Sequence, residues 1–129
     1  MKLEPPFDTF RIEKHAGERK DFGLAPDDPY PLKGVTYPVN YGDIEGYTGE
    51  DGARLDLFVG TNDNGIMGYI KVTRPDVTET ETKFFIRVSV DDEAAILEQF
   101  KPVLSGHGRF TSQYELLHAV EVFKDKAES

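Results

Sequence analysis

Apolar and polar positions change period once along the chain, and the change divides it in two. Three runs in the middle are rich in β-branched and aromatic residues: Leu55 to Val59, Ile66 to Thr73 and Lys83 to Val90. The turn-forming clusters TNDNG and RPDVTETE separate them, so they predict strands of one antiparallel, twisted sheet. Phe7 to His15 carries Phe7, Thr9 or Phe10, and Ile12 at its marked positions without i, i+4 apolar pairing, which predicts a further strand. Pro29, Pro31, Pro38 and Gly34 leave Asp27 to Pro38 only loop and short extended pieces.

After Val90 the period becomes helical. In DDEAAILEQFKPVL the residues Ile96, Leu97, Phe100, Val103 and Leu104 form one apolar face. Asp91 or Asp92 opens this helix near its positive end, and Pro102 stops it. An SGHG turn follows. Ser112 and Glu115 then form a capping box for a second helix, with Leu116, Leu117, Val120 and Phe123 on one face. Both helices are expected to pack on the sheet. His107 reads as a loop histidine, and His15 and His118 show no metal-ligand spacing with it. Strands first and helices last, with no repeat or linker, predict a single α+β domain over 1–129 built on a small curled sheet or barrel.

Composition narrows the function. Lys and Arg total 15 against 24 Asp and Glu, a formal charge of -9 that opposes nucleic acid and anionic membrane as partners. With no cysteine, thiol nucleophiles, disulfides and zinc-thiolate sites are excluded. No apolar run is long enough for a signal peptide or a membrane span, so a cytoplasmic protein is expected. Nine Phe and six Tyr supply a core without Trp.

The least ordinary stretch is Tyr37 to Val59, YPVNYGDIEGYTGEDGARLDLFV, an aromatic turn leading into a Gly-rich acidic loop and a buried strand. It resembles the soluble inorganic pyrophosphatases of the bacterial type, in which a YPxNYG turn precedes, at the same spacing, an acidic D-x-D-P-x-D loop that binds magnesium. Here the loop is Asp51, Gly52, Ala53, Arg54, Leu55, Asp56. Weaker similarity covers Ile12, Glu13, Ala16, Gly17 and Arg19, then GYIKVT at Gly68 to Thr73, then Gln99 to Lys101. The resemblance implies an OB-like five-stranded twisted β-barrel with two C-terminal helices, the inorganic pyrophosphatase-like fold. It also implies self-association, so a homo-oligomer is possible.

The implied chemistry is hydrolysis of pyrophosphate or a related phosphoanhydride. Such a site needs converging carboxylates to hold hard cations, and cationic or phenolic groups to orient the phosphoryl oxygens. The resemblance implies catalytic roles for Asp51 and Asp56, magnesium binding by Asp51, Asp56 and Glu81, and phosphate binding by Tyr41, Lys83 and Lys101. Asp76 and Glu79 are alternatives to Glu81. Several positions depart from the family pattern: Ala53 replaces the middle aspartate, Arg54 the loop proline, Arg74 a metal-binding aspartate, and Phe100 the tyrosine beside Lys101. Pro29 stands where the family has an arginine, and the family's first-strand lysine and glutamate fall at Asp21 and Gly23 unless a one-residue slip brings in Lys20. From about 5 Å a guanidinium repels a divalent cation by roughly 6 kcal/mol at an effective dielectric near 20. Arg74 is therefore expected to pair with Asp51 or Asp56 and do the metal's job. Turnover is expected to be weak or lost, the alternative being a non-catalytic phosphoryl-ligand-binding or protein-interaction module on the same barrel.

Overall fold

The computed structural model describes residues 3–22, 27–28, 30–74 and 79–126; Gly23, Pro29, Asp76 and the Arg74 side chain lie outside them. In chain order the elements are β1 (Arg11–Lys14), β2 (Arg19–Asp21), β3 (Gly34–Thr36), β4 (Asn40–Thr48), β5 (Arg54–Val59), β6 (Ile66–Arg74), β7 (Glu79–Val88), α1 (Val90–Phe100), β8 (Leu104–Phe110) and α2 (Gln113–Glu121). Six strands form one sheet in the order β1-β4-β5-β7-β6-β8, and β2 pairs with β3 in a separate two-stranded ribbon. This is an α+β arrangement.

The three apolar runs fall in the middle of the sheet, where both faces are buried and a strand reads as a near-continuous apolar run. Side chains alternate between faces. Leu57, Val59, Phe84 and Ile86 join Phe7 and the α2 residues Leu116 and Val120 in one core. Phe58 and Phe85 join Tyr41, Val72 and the α1 residues Ile96 and Phe100 in the other. The helices thus cover different cores.

The sheet is mixed, not antiparallel throughout. β5 and β7 run parallel, with Leu57 opposite Phe84 and Phe58 opposite Phe85. The β6–β7 hairpin folds back so that its second strand, not its first, lies beside β5.

Four local expectations change as well. Phe7–Thr9 is a turn of 3-10 helix, because the Thr9 and Phe10 amides bond back to Pro6 and Phe7 carbonyls, and the strand starts only at Arg11. The N-cap of α1 is Ser89, whose hydroxyl accepts from the Asp92 amide while the Asp92 carboxylate accepts from the Ser89 amide. SGHG is strand, not turn: it lies within β8 along β6. At α2, Ser112 accepts from the Glu115 amide, but the Glu115 carboxylate reaches one residue further back, to Thr111. Pro102 does end α1, in a 3-10 turn spanning Lys101–Val103.

The aromatic turn runs straight into a strand. Its Asn40 already pairs in β4, and Gly42 lies opposite Ile12 of β1, where a Cβ would run into the Arg11 carbonyl. Glycine permits that approach.

Candidate functional site

Strand periodicity sets one polar cluster into the apolar interior. Asp56 points to the same face of β5 as Phe58, which lies opposite Tyr41 of β4. Glu81, Lys83 and Phe85 share a face of β7, and the parallel register carries Asp56 alongside Lys83. Lys83 is 7% exposed. Its ammonium donates to Tyr41 Oη at 2.7 Å, Asp56 Oδ2 at 2.7 Å and Glu81 Oε1 at 3.2 Å. Three donors meet three acceptors, so the buried charge is satisfied. The Tyr41 and Phe100 rings also lie within cation–π range, with centroids 5.2 and 5.8 Å from Nζ.

The electrostatics follow from that geometry. Burial works against the charged form of Lys83, but Tyr41, Asp56 and Glu81 outweigh it and hold the ammonium well above its ordinary range. Burial likewise pushes the Tyr41 phenol well up, so it stays neutral. Burial alone would raise Asp56, yet Lys83 and a hydrogen bond from Glu81 bring its carboxyl below the usual value. Glu81 takes the opposite course, pushed up to about 8 by burial and by its hydrogen bond to Asp56. At neutral pH the proton rests on Glu81, Asp56 is the anion and Lys83 the cation. The cluster is balanced internally.

A cleft of about 520 Å³ opens above it, lined also by Glu13, Lys20, Phe22, Asp28, Tyr30, Tyr37, Asp51, Ala53 and Glu79. Tyr37 stacks on Tyr41 at 4.7 Å, and Phe22 meets Tyr30 edge to face at 6.1 Å. Lys20 Nζ lies 5.3 Å from the centre of the Phe22 ring. Asp51 sits in the turn between β4 and β5, its Oδ1 accepting the Ala53 amide.

Of the residues singled out from sequence, Tyr41, Asp56, Glu81 and Lys83 converge and Asp51 lines the same cleft. Lys101 does not join them: it is exposed where α1 ends, while its neighbour Phe100 takes the inward position. Lys83, on the adjacent strand, pairs with Asp56; the expected pairing of Arg74 with Asp51 or Asp56 falls on a side chain outside the described residues. Sequence reasoning passed over Tyr37, Tyr30 and Phe22 as lining residues, although Tyr37 belongs to the aromatic turn itself. Glu13 stood in the first-strand similarity without a role.

The donor set does not fit magnesium. Among the described residues no three Asp, Glu or His side chains converge as an ion site would require. Ala53 presents a methyl to the cleft, and Asp56 and Glu81 already share one ammonium and one proton. A hard octahedral cation needs free carboxylate oxygens that this pair lacks.

No protein-family model, no curated protein and no solved structure matches this chain. No helix among the described residues is long and apolar enough to cross a membrane.

A second charged cluster lies elsewhere. Glu93 of α1, 5% exposed, accepts from Arg109 at Nε and Nη2 and pairs with His107 Nε2 at 3.0 Å. Arg109, then His107, holds its carboxyl below the usual range against the effect of burial. The histidine read as a loop residue is a strand residue with an acidic partner.

Proposed function

We propose that this domain is a non-catalytic ligand-binding module on a pyrophosphatase-like scaffold, its acidic cleft held in shape by an internal ammonium instead of magnesium. One observation carries the reading: Lys83 Nζ lies within 3.2 Å of both inner carboxylates, Asp56 and Glu81. An ammonium built into the chain neutralises the pair at any metal concentration. It cannot polarise a bound water as a divalent cation does, and the position that the resemblance gives to the loop's middle aspartate is Ala53.

Strand order supports the OB-like part of this reading. Setting aside the β2–β3 ribbon and β8, the remaining strands lie in the order first, second, third, fifth, fourth, with the third and fifth parallel. That is the order of a partly open five-stranded Greek-key barrel.

Phosphate release from pyrophosphate in the presence of magnesium or manganese tests the proposal. The native chain is expected to show none above the metal-only control, and its melting temperature is expected to stay constant through millimolar magnesium. Robust turnover, or a saturating rise in melting temperature, would overturn the reading. Activity confined to the double variant Ala53→Asp, Arg74→Asp would support it.

A further inference from the structure

The cleft keeps a charge that its floor does not cancel. Asp56, Glu81 and Lys83 balance one another, but Glu13, Asp28, Asp51 and Glu79 line the space above them, and among the described lining residues only the Lys20 ammonium stands on the other side. No cationic side chain among the described residues pairs with Glu13, Asp51 or Glu79. A bare phosphate entering here would meet like charges, and the means of recruiting magnesium to screen them is missing.

The walls point the same way. Tyr37 is 3% exposed and lines the cleft, yet its hydroxyl has no hydrogen-bond partner among the described residues. Burial and the charges of Glu13, Asp56 and Glu81 push this phenol up to about 12, against the effect of Lys83, so it remains a neutral hydroxyl able to accept from an N–H donor. The rings already serve cations: Lys83 lies over Tyr41 and Phe100, and Lys20 over Phe22. A negative recess with aromatic walls and the unpartnered hydroxyl of a buried tyrosine matches a planar organic cation.

We propose that the cleft binds a small guanidinium or amidinium compound, its charged end held by Asp51, Glu79 and the Tyr37 hydroxyl and its flat body against the aromatic wall. The inference rests on the metal-free, non-catalytic reading of the cleft and names the ligand class for it. A free small molecule and an arginine side chain offered by a partner share this chemistry.

Calorimetric titration of the full chain with benzamidine and with benzamide, its uncharged isostere, tests the assignment. Benzamidine is expected to bind about tenfold or more tightly than benzamide, a difference of about 1.4 kcal/mol. The double variant Asp51→Asn, Glu79→Gln alters two side chains at the solvent edge and is expected to retain its melting temperature while losing about tenfold in benzamidine affinity. Tyr37→Phe is expected to weaken binding by a smaller factor. Ac-Gly-Arg-Gly-amide separates the two sources: tighter binding than benzamidine assigns the cation to a partner's arginine, weaker binding to a free compound, and either result supports the cation site. Equal affinity for benzamide, or no loss in the double variant, would overturn the proposal. So would displacement of benzamidine by magnesium pyrophosphate without turnover. Pyrophosphate hydrolysis would instead remove the non-catalytic reading beneath it, so the two failures are told apart.

Discussion

The Lys83 and Glu93 clusters are built on the same plan with the signs reversed, and they differ in what surrounds the central charge. Lys83 has two acids, whose side chains are only 19% and 22% exposed, at the floor of a cleft. Glu93 has two basic groups that reach water, Arg109 at 49% and His107 at 32% exposed. An ion whose partners are themselves desolvated depends on them more than one whose partners are screened by solvent. The first cluster therefore holds a site together, and the second fastens a helix to an edge strand.

The largest effect that would break this contrast is at Lys83. Lys83→Met removes the ammonium and leaves Asp56 buried without its cation, which is expected to cost about 3–5 kcal/mol at pH 7. Urea denaturation measures it. The loss is expected to shrink at pH 4, where an unpaired Asp56 takes up a proton and its buried charge disappears. An equal loss at both pH values would mean that lost packing, not charge, accounts for the change.

At the other cluster the expected effect is smaller. Glu93→Gln keeps the volume and leaves two basic groups that solvent can reach, so about 1–2 kcal/mol is expected at pH 7. The folded-state pKa of Glu93 is depressed, so its contribution is present above the unfolded value and is lost as pH falls through the folded one. The native chain and the variant are therefore expected to converge in stability under acid. If Glu93→Gln costs as much as Lys83→Met, solvent access does not distinguish the two clusters.

How far this was legible in the sequence depended on what each signal rests on. The central strands and both helices show in apolar periodicity because burial imposes it directly. β8 did not, because Gly106 and Gly108 alternate with Ser105, His107 and Arg109 and leave no apolar signal. A Cβ at position 108 would crowd the Tyr69 ring of β6, which would have to shift to admit it. The sequence left Glu81 in the turn cluster before Lys83, whereas the strand already begins at Glu79 and so sets both side chains on one face. That Lys83 is buried, and that Asp56 meets it, came from the parallel β5–β7 pairing, a long-range choice that no local pattern carries. The aromatic turn was recognisable as a unit, while Tyr37's place on the cleft wall depended on its stacking against Tyr41.

The smallest effect at neutral pH, and the one that sharpens the comparison most, is at Glu81. Its folded-state pKa lies near 8, above the ordinary carboxylate value of 4.5. The stabilisation tied to its proton is therefore complete below the unfolded value and is lost as pH rises through about 8. Glu93 weakens the fold toward acid and Glu81 toward alkali, so the two clusters should leave opposite marks on one stability profile. Glu81→Gln keeps a neutral donor facing Asp56 and has no proton to lose. It is expected to melt close to the native chain at pH 6 and above it at pH 9, where native Glu81 is a second anion beside Asp56. Thermal melts across that range decide the matter. A variant less stable than the native chain at pH 9 would show that Lys83 needs both carboxylates charged, and the shared proton would then have no place in the cluster.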